Sequence, residues 1–167
     1  MVFNVLGMSE DHSLNPMSTF ANATFTIESW KEQPLHEKLG LPKMSRVSAL
    51  VNYQGDIEGE GRVEYLMTYR EDGSASFIGL ERVRGGIAGY TGSFVLQHGG
   101  TFENGVAKSA FSVVPGSGTD QLATLRGHGE YAASECNTPV TMQYAIMDLE
   151  EERETVLVTP ELIPTGP

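Results

Sequence analysis

From Ile57 to Tyr69 the chain keeps a sharp two-residue period. Ile57, Gly59, Gly61, Val63, Tyr65, Met67 and Tyr69 fall on one face; Glu58, Glu60, Arg62, Glu64 and Thr68 fall on the other, with Leu66 the exception. Only an extended chain sends alternate side chains to opposite faces, so this run is a strand with one face in a core and one in water. The same grammar continues in Gly73-Ser-Ala-Ser-Phe-Ile-Gly-Leu-Glu-Arg-Val and in Tyr90-Thr-Gly-Ser-Phe-Val-Leu-Gln-His-Gly-Gly-Thr-Phe. Small, β-branched and aromatic residues alternate there between glycine turns, which marks closely spaced antiparallel strands.

Extending the pattern outward yields about eight strands. Ala21, Ala23, Phe25 and Ile27 share one face of a first strand, and Val47, Ala49, Val51 and Tyr53 one face of a second. Between them, from Trp30 to Lys43, the alternation breaks; Pro34, Gly40 and Pro42 frame a single helical turn or a structured loop. Glu71-Asp-Gly and Glu103-Asn-Gly are hairpin turns. Ala107–Val114, Leu122–Ala133 and Val140–Met147 complete the set. Almost no segment has helical periodicity, so the fold class is all-β: a closed barrel or a sandwich. The pairs Gly59/Gly61 and Gly127/Gly129 favour a single antiparallel β-barrel, since glycine repeated on one strand face permits tight coiling and close approach across a narrow interior.

A chain of 167 residues is one domain that can bury a core without staples. Residues 1–16 read as a flexible, aperiodic extension, 17–148 as the barrel domain, and 149–167 as an acidic, proline-containing tail. Within that tail Thr155–Thr159 has the composition of a short extra strand. The net charge of -11 argues against nucleic acid, which needs a basic surface, and against anionic membranes. One cysteine, Cys136, excludes an internal disulfide framework. No apolar run is long enough for a spanning helix, and the first residues lack a basic, signal-like start. The expected compartment is the cytoplasm.

At this point the motifs become recognisable. Thr26-Ile-Glu-Ser-Trp, Tyr53-Gln-Gly-Asp-Ile-Glu-Gly-Glu-Gly, Glu64-Tyr-Leu-Met-Thr-Tyr, the Gly73–Val83 run, Gly92-Ser-Phe-Val-Leu-Gln-His and Val113-Val-Pro-Gly-Ser-Gly-Thr occur in one order with suitable spacings. The chain resembles a bacterial family known as domain of unknown function 3224, over about Met17 to Asp148. The resemblance implies an eight-stranded antiparallel barrel similar to allene oxide cyclase. It implies no assigned activity, although related barrels include cyclases and isomerases acting on reactive apolar substrates. Two features depart from the family pattern: the turn Gly86-Ile-Ala-Gly-Tyr lacks the usual Arg, and His128 stands at a variable place.

Strand phase nominates a site. With Tyr65, Met67 and Tyr69 pointing inward, the neighbouring strands place Phe77, Glu81, Phe94, His98, Tyr131 and Tyr144 inside as well. The inferred lumen is apolar and aromatic with a few polar groups, as small-molecule pockets are, and a barrel of about eight strands has room for one small ligand. Glu81 in such a lumen is a candidate general acid or base, with His98 orienting it or sharing its proton. Tyr65, Tyr69 and Tyr131 could donate hydrogen bonds to a developing oxyanion, and Met67, Phe77, Phe94 and Tyr144 complete a substrate wall. The competing interpretation pairs Glu81 with Arg62, Arg82 or Arg84 at a barrel rim and makes His98 a satisfied strand-end residue.

Neither a metal nor a cofactor is expected. Asp56, Glu58 and Glu60 lack a histidine at ligand spacing, His12, His36, His98 and His128 are scattered, and Gly116-Ser-Gly-Thr lacks the lysine of a phosphate loop. The sequence therefore supports two functions. One is a barrel that binds an apolar or carbonyl-bearing metabolite in its lumen, with cofactor-free isomerase or cyclase chemistry in reach. The other is a non-catalytic barrel with a filled lumen that acts through its surface or as a homo-oligomer.

Overall fold

The computed structural model describes residues 19–35 and 38–147. Eight antiparallel strands run in chain order: β1 (Thr19–Leu35), β2 (Met44–Gly55), β3 (Ile57–Tyr69), β4 (Ala75–Ile87), β5 (Tyr90–Glu103), β6 (Val106–Val113), β7 (Arg126–Ala133) and β8 (Asn137–Ala145). Each pairs with the next, and β8 pairs back onto β1 from Thr26↔Asn137 to Thr19↔Tyr144, closing the barrel. Closure removes the free edges that an open sheet of this size would expose. The only helical element among the described residues is one 3-10 turn, Asp120–Leu122. The two expected chain extensions lie outside the described residues, as does the strand-like stretch Thr155–Thr159.

Most strand phases match the alternation. Val47, Val51, Tyr53, Val63, Tyr65, Met67, Phe77, Glu81, Val83, Leu96 and His98 are all buried. The largest differences lie at three boundaries, with smaller ones elsewhere, as at the last strand, which runs Asn137–Ala145. The first strand does not end near Trp30 but continues to Leu35, paired with β2 as far as Leu35↔Met44. A bulge between Ile27 and Ser29 inserts one residue, so the face presented inward switches from odd to even numbers. That shift disguised the second half of the strand as irregular. Pro34 is tolerated there because β8 pairs with β1 only up to Thr26, leaving the far side of this half without a strand neighbour among the described residues.

The strand expected from Leu122 begins instead at Arg126. The residues before it form a loop that lies along the first half of β5. Val114 N–H donates to the Val95 carbonyl, Thr119 N–H to the Ser93 carbonyl, and Ser93 N–H to Thr119 Oγ1, each at 2.9 Å. This loop takes the place of β6 beside Ser93–Val95 and delivers Leu122, fully buried, to one end of the barrel. Finally, β5 extends over Tyr90–Glu103, longer at both ends than its alternating centre.

The antiparallel order puts the β2–β3, β4–β5 and β6–β7 connections at one end and the β3–β4, β5–β6 and β7–β8 connections at the other. The first end is sealed. Ile57, Val83, Ile87, Phe94, Leu122, Leu125 and Met142 are 0–2% exposed there, which excludes water from that half of the interior. Among the described residues, the second end is open.

Candidate functional site

A cavity of about 340 Å³ runs inward from the open end. Its rim carries Ile27, Trp30, Tyr69, Phe102, Gly105 and Glu135, its middle Phe25, Met67, Phe77 and Tyr65, and its inner wall Tyr53, Tyr131, Glu81 and His98. The walls are mostly aromatic. Phe25 meets Tyr131 edge-on at 4.9 Å between ring centroids, and Tyr65 meets Phe77 edge-on at 5.3 Å. The His98 ring stands 5.9 Å from Tyr65 and 6.1 Å from Tyr131. These tilted packings are favourable for aromatic quadrupoles and hold the rings in fixed orientations.

Glu81 and His98 are the polar centre. Glu81 is 1% and His98 3% exposed. They come from adjacent strands: Gly79 of β4 is the register partner of His98, so Glu81 sits two residues, and therefore one inward position, along. His98 Nε2 lies 2.8 Å from Glu81 Oε1. The Tyr53 hydroxyl donates to the same carboxyl, 2.8 Å from Oε2 and 3.0 Å from Oε1. On the far side of the imidazole, Nδ1 lies 3.4 Å from Ser109 Oγ. Ser109 is itself buried and faces Tyr131 across β6 and β7, and the Tyr131 and Tyr65 hydroxyls are 3.4 Å apart. A chain of polar groups thus runs Tyr53–Glu81–His98–Ser109–Tyr131–Tyr65 around the inner wall. Every buried side-chain nitrogen and oxygen among the described residues has a partner, as a low-dielectric interior requires.

Two glycines make this arrangement possible. A Cβ on Gly61 would stand 2.0 Å from Glu81 Oε2 and 3.1 Å from the Tyr53 ring. Only the bare backbone of β3 lets β2 and β4 side chains meet over it. A Cβ on Gly79 would stand 2.4 Å from the Tyr65 ring, so that glycine sets how deeply Tyr65 packs.

Burial raises the pKa of the inner tyrosines. Desolvation pushes Tyr53 well above its ordinary value and the negative charge of Glu81 adds to the shift. Tyr65 is raised by desolvation and then by its contact with Tyr131. Tyr131 is raised by desolvation. All three are therefore protonated hydroxyls, able to donate, throughout the range in which proteins are stable. At the rim a second cluster joins Glu32, Ser45 and Tyr69: the Ser45 and Tyr69 hydroxyls both donate to Glu32 Oε1. Burial works to raise the Glu32 carboxyl, but hydrogen bonds from Ser45, Tyr69 and Trp30 and the charge of Lys43 outweigh it and leave it below the ordinary value.

Of the candidate residues, the structure gathers Glu81, His98, Tyr65, Met67, Tyr69, Phe77 and Tyr131 around one cavity. It places Phe94 and Tyr144 elsewhere. Phe94 pairs with Val83, one inward position beyond Glu81, and belongs to the sealed end. Tyr144 pairs with Thr19 and Gly127 near the same end. Alternation assigns both to a face but carries no information on which half of the barrel stays open. The rim ion pair is also absent: the partners of Glu81 are His98 and Tyr53, while Arg62, Arg82 and Arg84 stand on the outer face, where Arg62 pairs with Glu60 at 2.9 Å.

Tyr53 and Ser109 are the members of this polar chain that motif reasoning passed over. Tyr53 had a signal, its place on the face of Val47, Ala49 and Val51; Ser109 had none, because serine is ordinary on either face. Among the described residues no group of histidine, cysteine and carboxylate side chains is placed to hold a metal. Asp56 instead accepts from the Asn22 backbone N–H at 2.8 Å. No described helix is long and apolar enough to cross a membrane, and Cys136 is exposed.

Comparison with known proteins agrees with the barrel fold. The family model described as "Protein of unknown function (DUF3224)" matches residues 21–145, which run from the third residue of β1 to the last of β8. A crystal structure of a DUF3224-family protein of unknown function from Shewanella oneidensis MR-1 is similar, with a TM-score of 0.65 and 24% identity, covering 78% of this chain and 99% of that one. No curated protein matches the chain. The match spans the whole barrel, and the chain belongs to the DUF3224 family.

Proposed function

We propose that this DUF3224 barrel takes up a small, mostly apolar or carbonyl-bearing molecule through its open end. The observation that carries this reading is the unfilled lumen. A volume of about 340 Å³ has room for on the order of ten to fifteen non-hydrogen atoms, given about 30 Å³ for each water in the liquid. Concave, aromatic, with a few convergent polar groups, it has the character of a ligand site. A barrel with a packed lumen, acting only through its surface, would have no reason to leave this space.

The finer reading is a cofactor-free isomerase. A carbonyl oxygen at the Tyr65 and Tyr131 hydroxyls would be polarised by hydrogen bonding. The Glu81–His98 pair could then take a proton from the adjacent carbon and return it to the same or a conjugated carbon. No electrons enter or leave, and the residues end as they began. Fold-level analogy to barrels such as allene oxide cyclase points the same way and is no more than analogy. A cytoplasmic, metal-free setting suits this chemistry.

The test is native mass spectrometry of protein purified from its own host, paired with fluorescence titration of Trp30. This is the single tryptophan of the chain and it lines the cavity. A co-purifying small molecule, or saturable uptake of apolar probes, is expected. Bare protein that takes up no apolar probe would overturn the reading. For the isomerase, wild-type protein should speed deuterium exchange next to a bound ketone and Glu81→Gln should not.

A further inference from the structure

We infer that the lumen is built for an uncharged guest whose polar end is a hydrogen-bond acceptor, and that it refuses both carboxylates and amines of the same size. This rests on the ligand-binding reading above and narrows it to a chemical class.

The argument against an anion is the cavity wall itself. Among the described residues no lysine or arginine lines the cavity, although Lys43 Nζ stands 4.9 Å from the ring of Tyr69 at the rim; Glu81 lines its inner end and Glu135 its rim. A carboxylate at the inner end of this space would lose its water and meet no lysine or arginine, next to a buried carboxyl. The rest of the protein adds to the effect, since a net charge of -11 repels anions on approach.

The net charge and Glu135 draw an amine toward the mouth, so the argument against a cation rests on the inner end, where Glu81 is already engaged. An amine in an aromatic pocket would seek ring faces and a carboxylate. Glu81 is already met by two donors, His98 Nε2 and the Tyr53 hydroxyl. It is also covered on one side by the backbone of Gly61, whose added Cβ would lie 2.0 Å from Oε2. An ammonium would have to displace one of those donors and leave it buried without a partner.

What the wall does offer is a hydroxyl proton. Tyr65 and Tyr131 share one hydrogen bond between two O–H groups. Whichever of them donates, the acceptor of that bond keeps its own proton, and both side chains line the cavity. The raised pKa of both hydroxyls keeps that proton in place. A ketone or ether oxygen satisfies it; an ammonium cannot.

Three probes of nearly equal size separate these cases: benzylacetone, hydrocinnamate and phenylpropylamine, with butylbenzene as the purely apolar control. Each is titrated into the full chain near neutral pH with Trp30 fluorescence as the signal. Benzylacetone is expected to bind at least tenfold more tightly than the acid or the amine. Changing both Tyr65 and Tyr131 to Phe should weaken benzylacetone five- to tenfold and butylbenzene less than twofold, the control reporting that the variant is folded with its cavity intact. The inference is overturned if the acid or amine equals the ketone, or if the double variant affects ketone and hydrocarbon alike. If butylbenzene binds and benzylacetone gains nothing over it, the acceptor argument fails and with it the inference, while the ligand-binding reading stands. If none of the four binds, both fail.

Discussion

The Tyr53 hydroxyl reaches Glu81 across an intervening strand, 2.8 Å from Oε2. Tyr53 is on β2, Glu81 on β4, and Gly61 of β3 lies beneath the contact. Gly61→Ala should therefore push the carboxyl or the tyrosine toward the cavity and break the contact between them. The expected loss is about 1–3 kcal/mol, read from urea unfolding. A neutral effect would mean that the polar centre is loosely held.

The same geometry separates two substitutions of Glu81. In Glu81→Gln the side-chain carbonyl can still accept from His98, and the amide can donate to Tyr53 once that hydroxyl turns to accept. Stability should change by less than about 1 kcal/mol. Glu81→Ala leaves His98 and Tyr53 facing an empty space and should lose about 3–5 kcal/mol. Equal losses in the two variants would show that the charge itself, not the hydrogen-bond pattern, holds this part of the barrel.

Alkali should unfold the protein through its inner tyrosines. Burial raises Tyr53, Tyr65 and Tyr131 above the ordinary value of 10.0. A folded pKa above the unfolded one means that the stabilising contribution is complete below pH 10 and is lost as pH rises through the folded values. Ultraviolet titration of tyrosinate should show these three ionising together with loss of structure. Their reversible ionisation in the folded protein would contradict the burial.

At the acid end the rim cluster has the opposite sign. Glu32 is held below the ordinary value of 4.5. Its contribution is present above that pH and is lost as pH falls through the lowered native value. Glu32→Gln should flatten the dependence of melting temperature on pH below about 4.5 and change little near neutrality. An unchanged acid slope would show that solvent screens the Ser45 and Tyr69 contacts.

How much of this was legible before folding differs by residue. Val63, Tyr65 and Met67 are on the inner face because a strand has no other way to place alternate side chains, and the same rule brought Glu81 and His98 inside. Alternation and glycine placement thus specify an all-β barrel, the two faces of most strands and Glu81 and His98 as its inward polar pair. The remainder depends on how the sheet closes. Which end is sealed depends on a loop that carries Leu122 to β5, and this removed Phe94 and Tyr144 from the cavity wall. Trp30 and Glu32 gained their places through a bulge whose single extra residue reverses the phase. Tyr53 meets Glu81, and Ser109 meets His98, only because the stagger of neighbouring strands sets their height along the barrel axis. Local alternation specifies the direction of a side chain. Height and distant partnership come from the closure of the whole sheet.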